Sequence, residues 1–259
     1  MSKQGKVVKV SGVEIGSGMP KLCVSVHAEN ESELYEKTQN IANIGVDLLE
    51  WRVDSMSVAL SNDKLIKCLS TIKGIINAPI IFTLRTGNEG GARSISEDYY
   101  LNLNRGALNS GLIDIVDVEM YFNKAITQEL VEIAKNREVP VILSNHDTQK
   151  TPEKDELVRR LLKMQETGAD IAKIAVMPKS KMDVVRLLEA SIEAGEQMDI
   201  PLIAISMGKE GLISRIAGEF TGSAIAYGAR SIENALGQAT AEDQKKMLAL
   251  VHKYSNIVK

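Results

Sequence analysis

The chain has 259 residues, of which 44% are hydrophobic and 25% charged, an ordinary globular composition. Its formal net charge of −3 excludes a global basic field for binding nucleic acid. We find no run of about 18 apolar residues that would span a membrane and no signal peptide. With Cys23 and Cys68 both in apolar surroundings and expected to be reduced thiols, we predict a cytoplasmic protein.

The N-terminal segment reads as a β-hairpin. Residues 6–18, KVVKVSGVEIGSG, alternate with period two around Ser-Gly and Gly-Ser turns. We expect residues 1–20 to form this hairpin and to close the N-terminal end of the fold that follows.

Apolar, β-rich runs then alternate with segments of helical periodicity. The runs cover 21–28, 46–54, 79–85, 113–120, 140–147, 170–176, 201–207 and 219–227. Between them, segments such as 31–45, 153–168 and 181–195 have the 3.6-residue period of helices and are followed by Gly45, Gly168 and Gly195 as C-terminal signals. The pattern predicts a (β/α)₈ TIM barrel formed by 1–259 as a single domain. An open doubly wound sheet is the alternative, but no Gly-x-Gly-x-x-Gly follows the first strand to favour it.

Polar side chains recur every second residue towards the carboxyl ends of the predicted strands, and so share one face of each strand. The pairs are Glu50 and Arg52, Thr83 and Arg85, Asp117 and Glu119, and Ser144 and His146. Lys173 stands in the apolar run 170–176. In a closed barrel these side chains meet at one mouth, where the sites of this fold are built. A structural ion-pair ring would explain the acids and arginines, and a rim counter-ion would explain Lys173.

Lys173 has the clearest chemical interpretation. A desolvated amine beside arginines favours the neutral form, which attacks a ketone or aldehyde to form a Schiff base. A histidine such as His146 can then remove the adjacent proton. The spacing alone therefore predicts an imine-forming barrel enzyme, either an aldolase or a dehydratase, and Lys173→Met is expected to cost little stability. No metal site is predicted, because no His-x-x-x-His or Cys-x-x-Cys spacing occurs.

The motifs resemble those of one family in order and spacing. They are LLEWRVD (48–54), FTLRTGNEGG (82–91), SNHD (144–147), KIAVMP (173–178), MGKEGLISR (207–215) and GQ (237–238). Together they resemble the type I 3-dehydroquinate dehydratases over residues 25–238. The resemblance implies a cofactor-free lyase of the shikimate pathway, which produces chorismate for aromatic amino acids. Such an enzyme converts the small molecule 3-dehydroquinate to 3-dehydroshikimate and water, and it is usually a homodimer.

The resemblance also implies roles for individual residues. Lys173 is similar to the imine-forming lysine, His146 to the general acid–base, and Glu89 to the acid that orients it. Arg215, with Gln238 beside it, resembles the clamp on the substrate carboxylate. The other expected substrate contacts are Ser25, Glu50, Arg52, Arg85, Met207 and Asn234.

The segment NALGQ (234–238) departs from the family pattern SAPGQ. Asn234 replaces a serine that would contact substrate, and Leu236 replaces a proline. Two other functions stay open at this stage. A class I aldolase would share the lysine and could use MGKEG (207–211) as a phosphate loop, and a non-catalytic barrel would only bind a ligand.

Overall fold

Buried strands and amphipathic helices alternate along the chain, and the computed structural model describes them over residues 7–230 and 237–256. The strands are β1 Val8–Val10, β2 Val13–Ile15, β3 Lys21–His27, β4 Leu48–Arg52, β5 Ile80–Thr83, β6 Ile115–Glu119, β7 Val141–Asp147, β8 Ile171–Val176, β9 Leu202–Ser206 and β10 Ile225–Gly228. The helices are α1 Glu31–Ile44, α2 Asn62–Ile75, α3 Glu97–Ser110, α4 Lys124–Asn136, α5 Lys154–Glu166, α6 Lys181–Gln197, α7 Leu212–Ile216, α8 Gly218–Thr221 and α9 Ala241–Ser255.

The eight strands β3 to β10 form one parallel sheet in the order β10-β3-β4-β5-β6-β7-β8-β9. The two ends of this sheet meet, since Leu202 bridges to Ser223 and the N–H of Ala224 donates to the carbonyl of Leu202 at 2.8 Å. The predicted (β/α)₈ barrel is therefore confirmed. Within the described ranges, no helix combines the length and apolarity needed to cross a lipid bilayer.

Aspartates set the strand register at the N-terminal end of the barrel. Asp47, Asp114 and Asp170 each precede a strand and accept the backbone N–H at the start of a neighbouring strand, at 2.7, 2.8 and 3.0 Å. Each carboxylate pairs a backbone donor that would otherwise lie beyond the sheet ladder.

The hairpin of β1 and β2 closes this same end, as predicted. Its turn places Ser11 at φ 45° and Gly12 at φ 84°, the left-handed pair that a tight hairpin requires. Val8, Val10 and Ile15 are buried in a cluster with the lowest interior residues of the barrel.

Two local predictions were wrong. Gly195 does not end a helix, because α6 continues to Gln197 and is capped at Met198. Residues 219–227 are not one strand: Gly218–Thr221 form α8, and Gly222 at φ 84° ends it before β10. Phe220, which made this segment look like a buried strand, is 80% exposed.

Interior side chains form layers, because every second residue of each strand faces inward. The lower layer is apolar and consists of Cys23, Leu48, Ile81, Ile115, Ile142, Ile171, Ile203 and Ile225. Two residues further along most strands stands a polar layer of Ser25, Glu50, Thr83, Asp117, Ser144, Lys173 and Tyr227. Trp51 points to the opposite side of β4, where it is fully buried against Phe82. The layering places the charged groups at the carboxyl end of the barrel.

Candidate active site

Lys173 lies at the centre of the polar layer and is only 3% exposed. Its Nζ donates to Oδ2 of Asp117 at 2.9 Å, to Oε1 of Glu50 at 3.2 Å and to the hydroxyl of Tyr227 at 3.1 Å. It also lies 4.7 Å from the centroid of the Tyr227 ring. An ammonium has three donors, and all three find an acceptor here.

These neighbours differ from those expected. The sequence suggested an amine beside arginines, whereas the nearest groups are two carboxylates and a phenol. The carboxylates are held ionised: burial by itself raises the pKa of Asp117, but Arg85 and Lys173 together lower it below its ordinary value. At Glu50 burial likewise opposes ionisation, and Lys173 and Arg52 lower the pKa. The amine therefore belongs to a buried ion-pair network.

Arg85 is the second centre of this network and is 2% exposed. Its Nη2 donates to Oδ1 of Asp117 at 2.8 Å, and its Nη1 donates to Ser144 at 3.0 Å and to Glu119 at 3.2 Å. The Arg85 guanidinium, predicted as a substrate contact that also orders the pocket, thus links the carboxylates of β6 into one array.

Glu89 and His146 form a close pair above Lys173. Nδ1 of His146 lies 3.1 Å from Oε2 of Glu89, and the backbone N–H of His146 donates to the same oxygen at 2.9 Å. Glu89 is carried by the short 3₁₀ helix Gly87–Glu89 after β5, and its side chain is only 10% exposed. Glu89 therefore lies within the site and is not part of an exposed loop surface.

The electrostatics of this pair keep His146 neutral and let Glu89 gain or lose a proton near pH 7. Burial lowers the pKa of His146 well below its usual value, and Arg85 and Lys173 lower it further, so the imidazole is neutral at pH 7. Burial raises the pKa of Glu89 to about 7, opposed by Arg85 and reinforced by Glu119. When Glu89 is ionised, Nδ1–H donates to it and Nε2 has a free lone pair; when Glu89 is protonated, Nε2 carries the hydrogen.

Arg52, at the end of β4, forms an ion pair with Asp54 two residues further along the chain. Its Nε and Nη2 donate to the two oxygens of Asp54 at 2.8 and 2.9 Å. Asp54 is 1% exposed and also accepts the backbone N–H groups of Arg85 at 3.3 Å and Ala92 at 3.0 Å. This aspartate therefore connects Arg52 to the segment that carries Glu89.

Arg215 is a buried cation of a different kind. It is 7% exposed, its Nε has no hydrogen-bond partner among the described residues, and its Nη1 donates only to the backbone carbonyl of Tyr227 at 3.3 Å. Burial lowers its pKa to about 10, and no carboxylate in the described part of the chain forms an ion pair with it. A guanidinium in this state is suited to an anion that comes from outside the protein.

The remaining predicted contacts lie around the same mouth. The hydroxyl of Ser25 donates to Glu50, Met207 follows β9 and packs against the interior cluster, and Gln238 is half-buried next to Gly237. Asn234 and Leu236 lie outside the described residues.

Sequence reasoning did not name Tyr227 or Asn145, and it placed Asp117 at the mouth of the barrel without giving it a role in the site. The signal for Asp117 and Tyr227 was present, because each follows an isoleucine by two residues on the inward face of its strand. Asn145 points outward on β7, and only the fold of Glu89 over the strand end brings the two together.

These groups define a class: a (β/α)₈-barrel enzyme with a buried lysine and a hydrogen-bonded Glu–His pair at the carboxyl ends of its strands. Among residues 7–230 and 237–256, no group of three or more histidine, cysteine or acidic side chains could hold a metal ion. Comparison with known proteins narrows the class. The family model for type I 3-dehydroquinase matches residues 22–255.

Individual relatives agree. The 3-dehydroquinate dehydratase of Bacillus licheniformis is 42% identical over 96% of this chain and 98% of the relative. The crystal structure of the type I 3-dehydroquinate dehydratase from Clostridium difficile with covalently modified comenic acid has a TM-score of 0.94 at 40% identity, covering 97% of this chain and 99% of that one. The Geobacillus kaustophilus structure also has a TM-score of 0.94, at 32% identity, and covers 99% of this chain and 100% of that one. The chain belongs to the type I 3-dehydroquinase family, which confirms the resemblance and the enzyme class predicted from the sequence, a dehydratase of the shikimate pathway.

Proposed function

We propose that the protein converts 3-dehydroquinate to 3-dehydroshikimate and water through a Schiff base on Lys173. The observation that carries this proposal is the position of Lys173, which is buried in the polar layer and lies one strand from His146. Family membership supports the reaction, and the side chains around Lys173 support the covalent route.

The substrate carboxylate binds to Arg215. This guanidinium is desolvated and has no carboxylate partner among the described residues, so an incoming anion provides the missing charge. Gln238 and Asn234 are the further contacts that the resemblance implies at this end of the substrate. Binding there directs the ring towards the lysine.

Imine formation begins when the Lys173 amine gives up one proton and attacks the C3 ketone. The resulting carbinolamine loses its hydroxyl as water and becomes a protonated imine. Glu50 and Asp117, which bind Nζ in the free protein, then face the positive iminium nitrogen. Opposite charge stabilises the iminium, which draws electrons from the neighbouring C2–H bond.

His146 then acts as a base and afterwards as an acid. With Glu89 ionised, Nε2 has a lone pair and removes the C2 proton to give an enamine. The imidazolium, stabilised by Glu89, returns that proton to the C1 hydroxyl, which leaves as water. Hydrolysis of the new imine releases 3-dehydroshikimate and restores Lys173, so the sum is one substrate to one product and one water.

The aldolase alternative receives no support from the loop that suggested it. A Cβ on Gly237 would lie 2.3 Å from the backbone nitrogen of Lys209 and 2.5 Å from the carbonyl carbon of Gly208. Residues of the GQ motif thus pack on the MGKEG loop where a phosphate would have to sit. The family assignment likewise selects a dehydratase over an aldolase or an inactive barrel.

Enone absorbance after addition of 3-dehydroquinate tests the function. The unaltered protein and Lys209→Met, whose lysine is 85% exposed, should both produce the enone. Lys173→Met should produce none above the uncatalysed rate. No enone from the unaltered protein would contradict the reaction, and normal turnover by Lys173→Met would contradict the Schiff base.

Three broader predictions remain proposals: a single domain over 1–259, a cytoplasmic location and a homodimer. Sedimentation equilibrium measures the last of these directly. A mass of one chain at micromolar concentration would contradict the homodimer.

A further inference from the structure

A line of polar side chains runs from helix α5 to the Glu89–His146 pair. Nη1 of Arg160 donates to Oδ1 of Asn145 at 2.9 Å, and Nδ2 of Asn145 donates to Oε1 of Glu89 at 3.0 Å. Arg160 is itself held by Glu156, whose Oε1 accepts from its Nε at 2.7 Å. Asn145 is 7% exposed, so its amide has few alternatives to these two partners.

The orientation of the Asn145 amide is fixed by the hydrogen-bonding groups on its two sides. A guanidinium only donates hydrogen bonds, so the Asn145 oxygen must face Arg160 and its NH₂ must face Glu89. An ionised Glu89 needs the same NH₂ group, but a protonated Glu89 has an O–H donor, and without Arg160 the amide could turn by half a rotation and accept from it. Arg160 therefore keeps the donor of Asn145 on Glu89 in both protonation states and withholds an acceptor from the protonated form.

We propose that Arg160 and Asn145 are positioning residues of the active site: Arg160 orients the Asn145 amide, which occupies Oε1 of Glu89 and reserves Oε2 for Nδ1 of His146. With Oε1 accepting from Asn145, the proton that Glu89 gains or loses lies on the line between Oε2 and Nδ1. The position of that proton determines whether Nε2 has a lone pair and acts as a base or carries a hydrogen and acts as an acid. The inference rests on the proposed function, in which both forms of His146 are used in turn.

Other charged groups face Glu89 and oppose or reinforce this effect. Arg85 at the end of β5 favours the carboxylate, while Glu119 of β6 disfavours it, and Tyr121 lies nearby. Arg85 and Glu119 are unchanged when α5 alone is altered, whereas Tyr121 also faces Arg159 and Arg160 of α5 and is therefore altered equally in a control that removes Arg159. The donor from Asn145 favours the ionised form, so its loss raises the pKa of Glu89.

Three variants separate a positioning role from a structural one. Arg160→Ala frees the amide, and Asn145→Asp keeps its size and its pairing with Arg160 but turns an acceptor towards Glu89. Arg159→Ala is the matched control, because Arg159 also binds Glu156 from the same helix, is exposed, and has no contact with Asn145 among those described.

The pH profile of kcat/KM is the first measurement. In Arg160→Ala and Asn145→Asp the acid limb should move up by about one pH unit, the size expected for one hydrogen bond to a charged group. Activity should thus fall about tenfold at pH 6 and recover near pH 9. Arg159→Ala should keep the original profile. A uniform loss at every pH, or an equal shift in Arg159→Ala, would overturn the proposal.

Nitrogen-15 NMR of the imidazole groups in the free protein is the second measurement. The chain has three histidines, so the His146 signals can be assigned by one substitution. The pH at which the proton moves between Nδ1 and Nε2 should rise in Arg160→Ala and stay in Arg159→Ala. An unchanged transition in Arg160→Ala would overturn the proposal even in an active enzyme. A shifted transition in a protein that never dehydrates 3-dehydroquinate would instead contradict the proposed function.

Discussion

The amine of Lys173 is surrounded by groups from several strands of the barrel. The flanking residues Ile171, Ala172 and Ile174 are fully buried, as the apolar run indicated. The partners of Nζ come from other strands, and they are carboxylates. The expectation that Lys173→Met costs little stability is therefore reversed.

Lys173→Met should destabilise the protein at pH 7 by about 3–5 kcal/mol, because it leaves Glu50 and Asp117 without their shared cation. Urea denaturation of the variant and the unaltered protein measures the difference. Lys209→Met provides the control and should change the free energy of unfolding by less than about 0.5 kcal/mol. Equal stability of Lys173→Met and the unaltered protein would contradict the ion-pair account.

The stability difference between Lys173→Met and the unaltered protein should depend on pH. In the folded protein the pKa values of Glu50 and Asp117 are lowered, although burial by itself would raise them. Their contribution to stability is therefore present above the ordinary carboxyl pKa of about 4 and is lost as the pH falls below it. The stability gap between the two proteins should narrow from pH 7 to pH 3.5, and a gap that widens on acidification would contradict this sign.

Arg215→Ala should weaken substrate binding without unfolding the protein. Loss of one partner of a desolvated charge pair costs roughly 2–5 kcal/mol of binding free energy, whereas the free protein loses a buried cation that has no carboxylate partner among the described residues. Calorimetric titration with product and a thermal melt check the two halves. Unchanged affinity would remove Arg215 from the site.

At the scale of elements, the segment 85–92 carries the acid of the Glu–His pair over the end of β5. Within this segment the backbone of Gly91 lies so close to that of Arg85 that an added Cβ would stand 2.1 Å from the carbonyl oxygen of Arg85. Its N–H also donates to the carbonyl of Thr86 at 2.7 Å, which closes the turn. The position of Glu89 therefore depends on a glycine two residues further along the chain that contributes no side chain.

Gly91→Ala should displace Glu89 and lower kcat by about 10²-fold, the loss typical of a catalytic group moved by about 1 Å. Gly74→Ala is the control, because Gly74 lies in α2 with no atom within 4 Å of the added Cβ, and alanine favours a helix. Steady-state kinetics on both variants measure the effect. Normal kcat in Gly91→Ala would show that the segment does not position Glu89 so strictly.

Elements were predictable where one local rule was sufficient. The alternation along β4 and β6 placed their charged residues correctly on the inward face, and the hairpin turn at Ser11 followed from its Ser-Gly pair. The strand predicted at 219–227 failed, because an apolar run does not reveal that Phe220 is exposed.

At the scale of the whole molecule, closure of the barrel determines which side chains surround Lys173 and His146. The order of residues along the chain does not reveal these neighbours. The partners Glu50, Asp117 and Tyr227 come from three different strands, and only the closed sheet brings them to Lys173. The lowered pKa of His146 has the same origin, since burial and the charges of Arg85 and Lys173 act on it together. The sequence suggested an ordinary histidine for the same task.

The closed barrel also separates stability from chemistry along its axis. The hairpin and the apolar layer fill the half of the barrel at the amino ends of the strands, and the ionised network occupies the half at their carboxyl ends. The proposed covalent bond to Lys173 and the proton transfer by His146 involve only the half of the barrel at the carboxyl ends of the strands.

Borohydride trapping in His146→Ala with 3-dehydroquinate can separate the proposed imine on Lys173 from the proton transfer by His146. The amine is intact in this variant, so the imine should form, while elimination slows by about 10²–10⁴-fold. Peptide mass analysis should then find the reduced substrate adduct on the peptide that contains Lys173. No adduct, or an adduct on another lysine, would contradict the account.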